Sequence, residues 1–179
     1  AFTRMMQFGG GIAAIPIGLL LLLRLLKSMK AEEIGRPLRR SLWMSMLLFF
    51  AGGFIALLIS GVNTIIPAHY HGSIVGVTLA LMGLAYMLLP RLGYAPVRGR
   101  LADFQPWVYG FGQLLHISGL AVSGAMGIQR KTAGAAQGLD SLWAKLAMGV
   151  MGLGGLLAVI GGILFVWIML RAFMSGRQG

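Results

Sequence analysis

Three histidines carry most of the chemistry this sequence offers, and two of them stand two residues apart in Ile65-Ile66-Pro67-Ala68-His69-Tyr70-His71-Gly72. That segment opens an apolar stretch running to Pro90. On an α-helix, residues two apart diverge by roughly 200°, so both rings cannot ordinarily hold one metal ion but can serve two centres, one on each side of the helix. An ionisable side chain inside an apolar span is costly, and it marks either a functional site or a hydrogen bond to a packed neighbour.

Other chemistries find little support. The four carboxylates, Glu32, Glu33, Asp103 and Asp140, fall in predicted loops, so no acid pair stands within the apolar runs for proton transfer. Without cysteine there is no disulfide, no thiolate metal site and no iron–sulfur cluster bound by this chain. No Ser, His and acid residue converge on one layer, and the glycine-rich runs lack the lysine of a phosphate loop. What remains is His69, His71, His116 and the basic pair Arg130-Lys131. Histidine is a natural axial ligand of heme iron, and cations at a membrane surface suit heme propionates, although such a pair is also an ordinary solvated loop feature.

The elements that must position these residues are membrane helices. Of the 179 residues, 58% are apolar and 11% charged, and the mean hydropathy is +0.84, which leaves too little polar surface for a water-soluble domain. Five runs, about 8–26, 42–60, 65–90, 107–127 and 143–170, are each long enough to cross a hydrocarbon core, within a single membrane domain covering 1–179. The fold class expected is therefore an all-α polytopic bundle with five transmembrane helices. Arg24, Lys27 and Lys30 directly follow the first run as a stop-transfer flank, so that run is read as a retained span and not as a cleaved leader.

The net charge of +11 follows topology and not nucleic acid, because the basic residues lie at the ends of apolar runs without interleaved aromatics. Eleven of the fifteen Lys and Arg fall on one side: Arg24, Lys27, Lys30, Arg36, Arg39, Arg40, Arg91, Arg98, Arg100, Arg171 and Arg177. The other side has Arg4, Arg130, Lys131 and Lys145, so the N-terminus is expected outside and the C-terminus in the cytoplasm, with His69 and His71 toward the outer third of the membrane. Trp43, Trp107, Trp143 and Trp167 near span ends fit an aromatic belt, and the 28 glycines cluster inside spans where helix backbones approach closely.

In this arrangement the chain resembles the last five helices, the eighth to the twelfth, of subunit I of the heme-copper oxidases, a twelve-helix fold. The resemblance covers nearly the whole sequence. Ala1-Phe2-Thr3 with Ala14-Ile15-Pro16-Ile17-Gly18 looks like the eighth helix, and Ser41-Leu42-Trp43 with Gly52-Gly53 like the ninth. Asn63-Thr64 and Pro67-Ala68-His69-Tyr70-His71, closed by Tyr86-Met87-Leu88-Leu89-Pro90, is similar to the tenth-helix signature. Gln113 and His116-Ile117-Ser118-Gly119-Leu120 resemble the start of the eleventh-helix motif.

The resemblance implies two hemes: His69 as axial ligand of the high-spin heme at the oxygen-reducing site, and His71 as ligand of the low-spin heme that feeds it. Arg130 and Lys131 take the place of the family's propionate-binding basic pair, though they stand 14 residues after His116, a wider spacing than the family's. It implies a bacterial inner-membrane respiratory enzyme of the cytochrome c oxidase type, reducing oxygen to water with electrons from cytochrome c or a similar donor. The copper ligands and the second low-spin ligand belong to earlier helices, so a partner chain or segment carrying them, and the other oxidase subunits, are expected. No residue here is assigned a catalytic role of its own, and the role of His116 stays open. Where the proton-pumping branch has threonine and lysine in the eighth helix, this chain has Ile17 and Leu20, which puts the lysine-dependent proton route aside. Nitric oxide reductase of the same superfamily and a non-catalytic membrane subunit are the competing readings.

Overall fold

The computed structural model describes residues 5, 9, 11–27, 35–132 and 134–176. Ala1-Phe2-Thr3, Arg4, Lys30, Glu32, Glu33 and Arg177 lie outside the described residues. The described chain is helical throughout: α1 Ala14–Lys27, α2 Arg36–Leu57, α3 Ile65–Arg91, α4 Arg100–Ala125 and α5 Leu142–Met174, with a short 3₁₀ turn at Gly134–Gln137. Among the described residues no strand occurs, only an isolated antiparallel bridge between Asn63 and Gln129.

Local chemistry sets the helix ends. Pro37 sits in the first turn of α2, where its missing N–H costs nothing. Ser141 caps α5 by accepting from the Ala144 amide at 3.1 Å. Before α3, the Asn63 Oδ1 accepts from the Ile65 amide at 3.0 Å and the Thr64 hydroxyl donates across to the Leu120 carbonyl of α4 at 2.9 Å. Helix α4 starts at Arg100, earlier than the apolar run from 107, so Asp103 lies in its first turn and not in a loop as the sequence suggested. The helix dipole favours a carboxylate there, and Arg36 and Arg40 of α2 hold it, each at 3.9 Å.

Two close helix pairs, α2 with α3 and α4 with α5, pack against each other with α4 seated on both α2 and α3, while among the described residues α1 touches only α2. Glycines make both pairs possible. A Cβ on Gly52 would stand 2.5 Å from the Ser73 amide nitrogen, and one on Gly72 would stand 2.7 Å from the Gly52 Cα. In the second pair, a Cβ on Gly112 would lie 2.5 Å from the Ala158 nitrogen and one on Gly119 2.5 Å from the Ala147 carbonyl. The buried face of α5 is mostly small, Ala144, Ala147, Gly154, Ala158 and Gly161, whereas Leu153, Leu156, Val159 and Ile163 point outward. Small residues inside and large apolar residues outside is the packing of helices solvated by lipid.

Three helices, α2, α3 and α5, are long and apolar enough to cross a membrane, at 22, 27 and 33 residues. Helix α4 is 26 residues long but carries Arg100, Asp103, Gln105, Gln113 and His116, and α1 has 14 residues. The main core, Met44, Leu48, Ile55, Ile65, Ala68, Leu79, Ile117 and Leu120, lies between α2, α3 and α4. Farther along α3 a buried polar tie joins three helices: the Tyr86 hydroxyl donates to Gln105 Oε1 at 2.9 Å, and Gln105 Nε2 donates to the Gly161 carbonyl at 3.0 Å.

Candidate functional site

Pro67 in the first turn of α3 fixes the helix entry, and His69 and His71 follow it on different faces. His69 turns to α2, where its Nδ1 meets the Gly52 carbonyl at 2.8 Å. The glycine contact between Gly52 and Gly72 brings that carbonyl within reach. His71 folds back on its own helix, Nδ1 to the Pro67 carbonyl at 2.8 Å, and faces α4. There its ring lies 5.1 Å from that of His116, inclined at 54°. His116 in turn reaches α5, Nδ1 to the Met151 carbonyl at 3.0 Å, over Gly155, where a Cβ would stand 3.3 Å from that nitrogen.

The three rings share one electronic arrangement. A carbonyl oxygen only accepts, so in each case Nδ1 carries the hydrogen and donates it. The neutral ring then keeps its lone pair at Nε2. Backbone carbonyls that fix the tautomer in this way are the usual supports of metal-bound histidine, because they orient the ring and raise its basicity. Among the described residues no group of three or more His, Asp or Glu side chains is placed to hold a metal ion by itself. Each histidine has one ring nitrogen, Nε2, left over once Nδ1 is bonded to its carbonyl.

Among the described residues, two buried polar side-chain atoms have no protein partner: Gln113 Oε1, one turn before His116, and Arg130 Nε. The bridge between Asn63 and Gln129, with the Thr64 amide donating to the Ile128 carbonyl at 3.0 Å, fastens the segment before Arg130 to the start of α3. Arg130 thus lies at the histidine end of the bundle, half-buried, with a donor nitrogen that needs an acceptor. Lys131 beside it is exposed and adopts a φ of 62°. An unmatched buried donor costs about 1–3 kcal/mol, and an anionic group would remove that cost. The chemistry of this donor set fits what a heme would take: imidazole Nε2 lone pairs for iron, and the half-buried guanidinium of Arg130, with its buried Nε, for a propionate.

The proximity of His71 and His116 was not legible in the sequence, since 45 positions separate them and their registers on α3 and α4 depend on the glycine contacts. Of the hydroxyls in the spans, Tyr86 is committed to Gln105 and Thr78 bonds its own helix at the Ile74 carbonyl, 3.1 Å away.

No protein-family model matches the chain, and no solved structure matches it. An uncharacterized protein of Rickettsia prowazekii (strain Madrid E) is 40% identical over 147 residues, covering 75% of this chain and 28% of the relative. An uncharacterized protein of Aquifex aeolicus (strain VF5) is 32% identical over 99 residues, covering 55% of this chain and 24% of the relative. The chain spans about a quarter of the length of these curated relatives.

Proposed function

We propose that these helices form the C-terminal part of the catalytic subunit of a respiratory heme-copper terminal oxidase. One observation carries the reading: His69 and His71, two residues apart, are held toward different neighbouring helices with Nδ1 of each bonded to a backbone carbonyl. That is the arrangement a bridge between two hemes requires. His69 ligates the high-spin heme iron and His71 the low-spin heme iron, and Arg130, with Lys131 beside it, holds propionate. When bound, the hemes supply electron transfer and, with copper, oxygen reduction. This chain's residues orient the ligands through the Gly52 and Pro67 carbonyls and exclude water by close packing of α2, α3 and α4.

In this reading α1 and α4 also cross the membrane, which makes five spans, with the N-terminus outside and the arginine-rich ends in the cytoplasm of a bacterium. The buried polar groups of α4 are compatible with a span because Gln105 and Ser123 bond within the bundle. Copper and the second low-spin ligand come from helices outside this sequence. The much greater length of the two relatives leaves room in those proteins for further helices. Other oxidase subunits and cytochrome c or a similar electron donor complete the assembly. Ile17 and Leu20, both facing outward, offer no proton-carrying group, an observation that also favours nitric oxide reductase as a second reading.

The deciding experiment is a reduced-minus-oxidised optical spectrum of the purified complex, with and without carbon monoxide, followed by turnover with oxygen and with nitric oxide. Two hemes, one of them reacting with carbon monoxide, are expected. A complex with no heme absorption overturns the proposal in favour of a non-catalytic membrane subunit, and turnover of nitric oxide alone selects the second reading.

A further inference from the structure

At the end of the bundle away from the histidines, a cleft of about 410 Å³ opens between the start of α4 and the end of α5. Its size falls within the range of about 300–1,000 Å³ typical of small-ligand sites. Three arginines line it, Arg98, Arg100 and Arg171, with Trp167 and Ser175 at its wall. None of the three arginines makes an ion pair among the described residues, because Asp103, the nearby acid, is taken by Arg36 and Arg40. The cleft is built and held: Gly99 turns the chain at a φ of 105°, and the Tyr94 ring sits edge-on to Phe173, centroids 4.8 Å apart. At the start of α4, Gly99 supplies no side-chain cap, so the first backbone N–H groups also face this end unpaired.

Below the cleft the surface changes character. Ile163, Val166, Trp167 and Leu170 form an exposed apolar stripe along α5 that leads directly to Arg171. A ligand that satisfies both surfaces has an anionic head and hydrocarbon tails. We propose that this cleft binds the phosphate of an anionic phospholipid headgroup, with the acyl chains lying along the α5 stripe. A soluble phosphate would match the arginines but leave the stripe without a partner. The inference rests on the cleft and its charges and not on the heme reading.

The test uses the full-length protein, in whatever complex it purifies, in a neutral detergent. It is titrated with phosphatidylglycerol, with phosphatidylcholine of the same chains, and with inorganic phosphate, and bound lipid is counted by native mass spectrometry. Phosphatidylglycerol is expected to bind in preference to phosphatidylcholine. The joint substitution Arg98→Gln, Arg100→Gln and Arg171→Gln is expected to weaken it at least about tenfold, each charge near the surface contributing a factor of about five. Lysine at all three positions keeps most of the binding. A control that removes the same charge elsewhere, Arg24→Gln, Lys27→Gln and Arg91→Gln, leaves it unchanged. If the triple variant does not fold, Arg171→Gln alone, on the exposed last turn of α5, is expected to weaken binding about fivefold. Undiminished binding in the cleft variants, an equal loss in the control, or displacement of the lipid by inorganic phosphate at equal concentration overturns the proposal.

Discussion

The two ends of this bundle handle polarity in opposite ways. At the histidine end, three imidazoles are partly buried, each anchored by Nδ1 to a backbone carbonyl and each presenting Nε2. At the arginine end, three exposed arginines line an open cleft without an ion-pair partner among the described residues. Inside a low-dielectric span a neutral ligand with a fixed tautomer is inexpensive to keep, whereas a free charge is not. The proposed heme ligands and the proposed headgroup contacts therefore fall at opposite ends.

The sharpest way to break this comparison is at the histidines. His71→Ala is expected to abolish the low-spin heme signal while carbon monoxide binding partly survives, and His69→Ala to do the reverse. Oxygen turnover should fall more than tenfold in either, over about 1.4 kcal/mol of barrier. Both signals disappearing together in each variant, with the protein folded, would remove the two-centre reading. Replacement of His116 discriminates further: loss of a heme signal there gives a third ring a ligand role, and retention leaves it as a packing partner of His71.

Packing comes next. Gly119→Leu places atoms where the Ala147 carbonyl and Met151 backbone already stand, 2.5 Å from the new Cβ. Overpacking of this kind costs about 1–3 kcal/mol, so the thermal midpoint in detergent should drop by several degrees, and His116 should lose its Met151 partner. Gly149 and Gly152 have open space around a Cβ, and Gly149→Ala and Gly152→Ala are expected to leave the midpoint nearly unchanged. An equal drop at all three positions would show that the α4–α5 contact does not depend on Gly119.

How much of this was legible beforehand differs between the two ends. Hydropathy located every helix to within several residues, because an apolar run is a local property. It placed the start of α4 late, since that helix continues past its apolar run into a polar first turn stabilised by Asp103 and two arginines of α2. The divergence of His69 and His71 followed from helical periodicity alone. The meeting of His71 with His116, the carbonyl partners of all three rings and the unpaired Nε of Arg130 did not, since they depend on how closely glycines let the helices approach. The cleft is not legible in the sequence for the same reason: basic residues at the ends of apolar runs report topology, and only the fold shows which of them share a cavity.

The buried tie at Tyr86 follows. Its hydroxyl donates to Gln105 Oε1, and removing it in Tyr86→Phe leaves that buried oxygen without a donor, a loss of about 1–3 kcal/mol in unfolding stability. Turnover and proton uptake in vesicles should change less than tenfold, because the hydroxyl is engaged in a structural tie. The same limit applies to Ser73→Ala and Thr78→Val. A larger fall in both measurements with heme content intact would place a proton path within these helices.

The smallest expected effect separates Arg36 from Arg40, which both face Asp103 at 3.9 Å. The Arg36 side chain is 73% exposed, so solvent screens its attraction and holding the long side chain in place offsets most of the rest. Arg36→Gln should therefore change stability by less than about 0.5 kcal/mol and lose even that in high salt. Arg40 is 32% exposed and also donates from Nη1 to the Asp103 backbone carbonyl, which ties α2 to the first turn of α4. Arg40→Gln should cost about 1–2 kcal/mol, the range for a charge-assisted bond to a partly buried acceptor, and that cost should persist in salt. Equal and salt-sensitive losses for the two would mean that Asp103 is held by charge alone, and the arginine end would then be no more structured than a solvated loop.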